Sequence, residues 1–460
     1  MSVIMKRTLM AAGVLLFLTG PAGLGADSTG EAKQFWPQWR GPLATGVAPL
    51  ADSPLTWSET NGVKWKVSIP GAGDSTPIIW GDRVFILTAI PTGRNVEGAA
   101  SGKPAGGGDA GAAESRAPGK GTGPETPAEI YRFTVLCLDR ATGKTLWEKV
   151  AREEAPHEGH QPNNTFASAS PVTDGECVVA DFGSRGLHCY DLEGNLKWSK
   201  DFGRMKTKMG FGEGASPALY GDRVILYRDD EGDNDFIAAL DKRTGKELWR
   251  TARNEATGWS TPLVIDYDGK AQAVVNATGK VRSYDLGTGK EIWSCAGQTA
   301  NAIPSPVASE DTVYVTSGFR GNALYAIQLG RTGDLTDTDA IRWKHDKHTP
   351  YVPSPLLVDG KVYVVANNSG MLSCFDARTG AANFEAERLE GVSEIYASPV
   401  AARDRVYVLG RDGTCLVLKL GPKLEILATN EVSDKTDASL ALAGKEIFLR
   451  GRRSLYCIAQ

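Results

Sequence analysis

At 460 residues the chain has room for two or three ordinary domains or for one large repeat domain. Its 53 glycines, 24 prolines and 11 tryptophans suit many short strands joined by tight turns, and long helical periodicity is missing. A formal net charge of -4 excludes a nucleic-acid binder that tracks phosphates.

Residues 1–26 read as a signal peptide. Lys6 and Arg7 form its positive end, Thr8 to Leu18 an apolar stretch too short to cross a bilayer, and "GPAGLGA" a small-residue cleavage zone. No cysteine precedes Cys137, so no lipid-attachment cysteine is expected. The expected location is periplasmic or secreted, with no integral membrane segment after cleavage. Next comes "FWPQWRGPLATGVAPLADSPLTW", Phe35 to Trp57, too aromatic for a loose tail and expected to clamp across the outside of the closing blades. "NGVKWKVSIPG", Asn61 to Gly71, has the form of an outer strand carrying Trp65. Residues 91–130 are Gly, Ala and Pro rich with almost no large apolar side chains, and read as a disordered insertion in the first blade.

From there the chain repeats. Ser/Thr-Pro pairs put prolines at Pro77, Pro171, Pro217, Pro262, Pro306, Pro355 and Pro399, with Leu440 in the equivalent place of an eighth copy. After the first interval the spacing is 41 to 49 residues, the length of one four-stranded propeller blade. Second strands such as Val362-Tyr363-Val364-Val365 are apolar at consecutive positions, so both faces of each sheet need covering, which blades standing face to face provide. "DRATGKTLW" (Asp139 to Trp147), "DKRTGKELW" (Asp241 to Trp249) and "DLGTGKEIW" (Asp285 to Trp293) read as a turn into the outermost strand. In it Asp and Thr bond backbone amides and Gly supplies a positive φ. Trp65, Trp147, Trp198, Trp249, Trp293 and Trp343 then wedge between neighbouring blades. Cys137, Cys189, Cys374 and Cys457 share a slot with Ala239 and Ala326, which marks a small buried position rather than a disulfide framework. The last copy lacks an outer strand, and Asn61–Gly71 can supply it. The expectation is an all-β, single domain over residues 35–460: an eight-bladed β-propeller of four-stranded antiparallel blades, closed by an N-terminal strand, with seven blades as the alternative count.

The Ser-Pro strand, the D-x-x-T-G-K-x-x-W phrase and "WPQWRGP" resemble the pyrroloquinoline-quinone-like (PQQ-like) β-propeller repeat family, from about Trp36 to Gln460. The resemblance implies the fold, and two functions within it: quinoprotein dehydrogenases, and non-enzymatic BamB-like scaffolds of the outer-membrane barrel-assembly machine. The dehydrogenases are similar in carrying adjacent cysteines against the quinone and a Ca²⁺ site beside a catalytic aspartate. Here no Cys-Cys pair and no CxxCH haem motif exists, and only "RDDEGDND", Arg228 to Asp235, looks remotely like an oxygen cluster.

That acidic loop departs from calcium-loop spacing and reads as an exposed hairpin tip. His157 and His160 in "HEGHQPNNTF" lack a helix and a third ligand, so they read as solvated loop, and "RGRRS", Arg450 to Ser454, as a polar turn. Topology places another set at the funnel mouth: Asn163, Asn164, Phe211, Trp259, Asn301, Tyr351 and Tyr396 ahead of the inner strands, with Arg185, Arg320, Asn367 and Arg411 on the middle loops. Such groups would suit a planar anion, a sugar or a peptide. The sequence therefore points to an exported, non-catalytic binding or scaffolding monomer without metal or cofactor, its partner a protein or a small polar or anionic ligand. A dehydrogenase using PQQ and calcium is the alternative.

Overall fold

The strand Lys361–Val365 shows why the sheets stand face to face. Val362 and Val364 pack into a cluster with Tyr314 and Leu324 of the preceding sheet. Tyr363 and Val365 pack the other way, against Val406 and Val408 of the following one. Alternate side chains of a strand point to opposite faces, so a run of apolar residues needs a neighbour on each side. The computed structural model describes residues 30–97 and 124–459. In it the chain forms eight such sheets, spanning 78–154, 172–200, 218–252, 263–296, 307–345, 356–388, 400–431 and 441–459, numbered blades 1 to 8. The expected leader lies outside the described residues.

Each blade is an antiparallel meander from the axis outward. Blade 8 takes its outermost strand from Val63–Ser68, which pairs with Ser454–Ala459, so the two ends of the chain close the ring as the sequence pattern requires. In blade 1 the insertion is shorter than expected. Its second strand runs on to Asn95, and its third starts at Glu129 and pairs with it, so 91–95 and 129–130 are strand; residues 98–123 lie outside the description.

The recurring phrase works as a blade-to-blade socket. Asp139 Oδ1 accepts hydrogen bonds from the Thr142 amide (2.8 Å) and hydroxyl (2.6 Å), and Asp241 and Asp285 do the same for Thr244 and Thr288. The tight turn then presents a backbone carbonyl and a bare glycine to the tryptophan of the blade before it. Trp198 Nε1 donates to Lys242 O (2.8 Å), and a Cβ added to Gly245 would lie 2.6 Å from the indole. Trp65, Trp147, Trp249 and Trp343 donate likewise to Arg140, Leu192, Leu286 and Ala377. Trp293 departs from the pattern, because blade 5 lacks the phrase: its indole donates to Gln272 Oε1 (3.2 Å), and Gly333–Asp334 pairs along its strand to cover it.

Register explains the small slot. Cys137, Cys189 and Cys457 lie directly across from Trp147, Trp198 and Trp65, and Ala239 and Ala326 across from Trp249 and Trp343. Only a small side chain fits beside the docked indole. All seven cysteines are buried and free.

The aromatic segment after residue 34 corrects the expectation of an outer clamp. Trp36 exchanges backbone hydrogen bonds with Ile79 of blade 1, and Pro37 O accepts from Thr173 of blade 2. Arg40 Nη2 then donates to Pro355 O and Pro399 O (both 3.0 Å), and Val47–Ala48 pairs with the inner strand of blade 7. A segment that touches the inner strands of blades 1, 2, 6 and 7 crosses the axis itself. An eight-bladed ring leaves a central channel, and these residues fill it. Only the later part runs over the closing blades, where Trp57 stacks on Tyr407 and its amide donates to Asn430 Oδ1 (2.7 Å), filling the place of the aromatic that blade 7 lacks.

Candidate functional site

The residue before each proline builds a belt around the axis. The Thr76 amide donates to Ser170 Oγ (2.9 Å), Ser170 to Ser216 Oγ (2.9 Å), Ser216 to Thr261 Oγ1 (3.3 Å) and Thr261 to Ser305 Oγ (2.7 Å). Ser305, Ser354 and Ser398 continue it to Ser439, each at 2.9 Å. Proline cannot donate to a ladder, so the Ser/Thr amides from blade 1 to blade 7 each donate to the hydroxyl of the following blade instead. The belt sets the depth of whatever lies two residues upstream.

Those upstream residues are Asp74, Ser168, Gly214, Trp259, Ile303, Val352, Tyr396 and Asp437, one per blade, and all eight line one cavity of about 200 Å³ at the end of the axis. Trp39, from the channel-filling segment, also lines it, and Gln161, Asn163, Asn164, Phe211 and Tyr351 complete the walls. The ring is two-sided. Blades 8 and 1, made neighbours by ring closure, bring Asp437 and Asp74 together, while blades 4 to 7 present Trp, Ile, Val and Tyr.

Six residues placed at the mouth by topology converge there: Asn163, Asn164, Phe211, Trp259, Tyr351 and Tyr396. Asn163 Nδ2 donates to Tyr396 Oη (2.6 Å), linking the loop ahead of blade 2 to that ahead of blade 7. Asn164 Nδ2 donates to Phe211 O (3.0 Å), and Trp259 Nε1 to Gly212 O (2.7 Å), which sets the indole. The others do not line the cavity. Asn301 is buried and Asn367 is exposed, its neighbour Asn368 instead receiving the Val352 amide (2.8 Å). Arg185 is buried against Glu213 (3.1 Å), and Arg320 is exposed beside the Phe319 ring. Arg411 stacks over Tyr396 (4.0 Å) and is held by Asp437 and Glu394. Two of the three middle-loop arginines, Arg185 and Arg411, thus spend their guanidinium groups on ion pairs, and none of the three lines the cavity.

Asp74, Asp437, Trp39 and Gln161 escaped the sequence reading. A signal for the two acids was present: both lie three residues before the Pro/Leu position, the slot that holds Trp259 and Tyr396. Their environments differ. Asp437 is held by Arg411 (2.5 Å) and Arg452 (2.8 Å). Asp74 is part-buried in the cavity wall, and among the described residues no donor reaches its carboxylate. Enclosure, and behind it the charge of Asp437, pushes its carboxyl up to about 7 against the pull of Arg450, Arg452 and Arg411.

Three other expectations change. In the acidic loop, Asp229 and Asp230 are buried and Asp235 nearly so; only residues 231–234 form an exposed tip. Asp229 takes two hydrogen bonds from Arg253 (2.6 and 2.8 Å), and Asp230 caps the Lys206 amide, so the loop is a structural clasp. Arg450 is no surface turn: it is buried and donates to Leu87 O (2.6 Å) and to Ser75. His157 and His160 are part-buried, and their rings bond Met205 O and Gln161 O. No group of three or more His, Cys, Asp and Glu placed to hold a metal ion occurs among the described residues.

A family profile described as outer membrane protein assembly factor BamB matches residues 132–385 and 237–460. The chain belongs to this PQQ-like, BamB-like repeat family. An outer membrane protein assembly factor BamB from Yersinia pestis is 20% identical over 294 residues, covering 62% of this chain and 66% of that relative, just under two thirds of its length. Among solved structures, BamB from Moraxella catarrhalis superposes with a TM-score of 0.51 at 15% identity, over 73% of this chain and 92% of that one. A europium-containing methanol dehydrogenase reaches 0.60 at 10% identity, over 94% and 100%. At such identities the solved structures testify to the BamB-family fold alone. No helix among the described residues is long and apolar enough to cross a membrane.

Proposed function

We propose that this BamB-family chain is an exported, monomeric propeller of the cell envelope that binds or scaffolds a protein partner through its funnel mouth and transforms no substrate. The observation that carries this reading is the composition of the cavity: aromatic faces and side-chain amides, fixed by hydrogen bonds to the surrounding loops, around an axis floored by the chain's own Trp39. That is contact chemistry. The family description as an assembly factor and the leader-like residues 1–26 support the envelope location.

The residues present do not fit a pyrroloquinoline quinone. The quinone is a tricarboxylate, and the cavity lining offers two carboxylates and no cation. No adjacent cysteine pair exists to lie against its face. The methanol dehydrogenase likeness therefore speaks for the ring of eight blades and not for its chemistry.

A photo-crosslinking residue placed at Asn163 or Phe211 in the full chain, expressed in its native envelope, tests the reading. The expected result is a crosslink to one defined envelope protein from the mouth and none from Leu248 on the outer rim, which is 44% exposed. Equal capture from the rim, or no capture from the mouth, overturns it. So does dye reduction with alcohols or aldoses after incubation with the quinone and Ca²⁺.

A further inference from the structure

The cavity carries more information than a general contact surface, because its two halves differ. On one side stands Asp74, whose carboxylate has no donor within reach among the described residues, next to Asp437, which Arg411 and Arg452 already occupy. On the other stand Trp259, Tyr396, Ile303 and Val352. No lysine or arginine is among the lining residues, and Arg450 behind Asp74 spends its donors on Ser75 and Leu87.

A part-buried carboxylate in a cavity wall, without a donor of its own, gains from a guest that supplies one. We propose, resting on the binding reading above, that the cavity recognises an ammonium or guanidinium group on an apolar stem. The charged end meets Asp74, and the stem lies against the Trp259, Ile303, Val352 and Tyr396 wall. A lysine or arginine side chain presented by a partner has this form, and so has a free alkylamine. Charge-assisted hydrogen bonds to the carboxylate favour a cation, and the Trp259 and Tyr396 side chains offer apolar surface to its stem. Anions meet only like charge. A neutral sugar would leave the carboxylate charge uncompensated and set its hydroxyls against Ile303 and Val352.

The same geometry makes binding sensitive to pH. The charged and titratable groups facing Asp74 are Asp437, Arg411, Arg450 and Arg452. Their sum leaves a carboxyl that loses its proton near neutrality, and a cation binds the ionised form. Affinity should therefore rise as pH rises from 6 to 8, by about tenfold for a group half-ionised near 7.

The test uses the full chain and follows tryptophan fluorescence and titration heat with Nα-acetyl-arginine methylamide, its neutral citrulline analogue, acetyl-lysine methylamide, spermidine and glucose. Expected are arginine and lysine derivatives binding at least about tenfold more tightly than citrulline, a difference of about 1.4 kcal/mol, with the pH trend above. Asp74→Asn, which keeps the shape, should erase both the cation preference and the pH trend while the unfolding midpoint at pH 7 does not fall. Equal binding of citrulline and arginine, binding of glucose in preference to them, or an Asp74→Asn variant that keeps the preference overturns the proposal. Spermidine binding without the peptide-like derivatives assigns the site to free amines. A mouth crosslink unaffected by Asp74→Asn would leave the scaffold reading standing and sink this one; cation binding without any crosslink would do the reverse.

Discussion

Replacing Gly245 by alanine would put a methyl carbon 2.6 Å from Trp198 Cδ2 and 2.7 Å from Cε3, on a backbone with φ of +67°. Two costs arise. A non-glycine residue in the left-handed region costs about 1–2 kcal/mol, and overpacking a filled site costs about 1–3 kcal/mol more, so Gly245→Ala should lose about 2–5 kcal/mol. Gly221→Ala isolates the first cost, since Gly221 has φ of +56° and nothing within 4 Å of the added carbon. Trp198→Leu removes the indole atoms that the methyl would strike. In that background Gly245→Ala should cost only as much as Gly221→Ala, giving a coupling of about 1–3 kcal/mol between Trp198 and Gly245. Urea unfolding of the four variants and the wild type, followed by tryptophan fluorescence and far-ultraviolet circular dichroism, reads these values at unchanged m. A Gly245→Ala cost that is the same with Trp198 and with Leu at that position would refute the socket as the reason for the T-G phrase.

Ser305→Ala leaves the part-buried Thr261 amide without its 2.7 Å acceptor and should cost about 1–3 kcal/mol in the same assay; a loss no larger than that of an exposed serine would remove the belt from the account of stability. Asp229→Asn breaks a bidentate pair whose two side chains are both wholly buried and should destabilise by about 3–5 kcal/mol, whereas the double change Asp229→Leu with Arg253→Met should recover most of it. Asp74 sets a pH signature. Its carboxyl holds a proton up to about 7 in the folded chain and releases it near 4 when unfolded. Between those values the native state binds more protons, so stability should fall as pH rises from about 4 to about 7 and level off above. Asp74→Asn should flatten that part of the profile, measured by unfolding midpoints, and an unchanged slope would place the missing charge elsewhere.

Much of the molecule was legible because its rules are local. Asp139, Thr142 and Gly143 form their turn from neighbouring atoms, and the apolar run Val362–Val365 states that its sheet has covers on both sides. Less legible were side chains whose partners come from other blades. Arg185 and Arg411 sit where topology puts them, yet each points to an acid, Glu213 or Asp437, that the repeat pattern does not pair with it. The acidic loop looked exposed because Arg253, which buries Asp229, arrives from the end of the outer strand of the same blade.

Alone, the sequence determined the blade and its closure, since the strands, turns and docking aromatics recur within one period and the missing outer strand has one source, and it favoured eight blades over seven; the structure settled the count at eight. Only the tertiary structure decided what faces the axis. Asp74 and Asp437 belong to opposite ends of the chain and meet because a ring makes its first and last blades neighbours. The Trp36 to Ala48 stretch turned inward because eight blades leave a hole whose width no repeat unit records, and buried aromatic surface is the means of filling it.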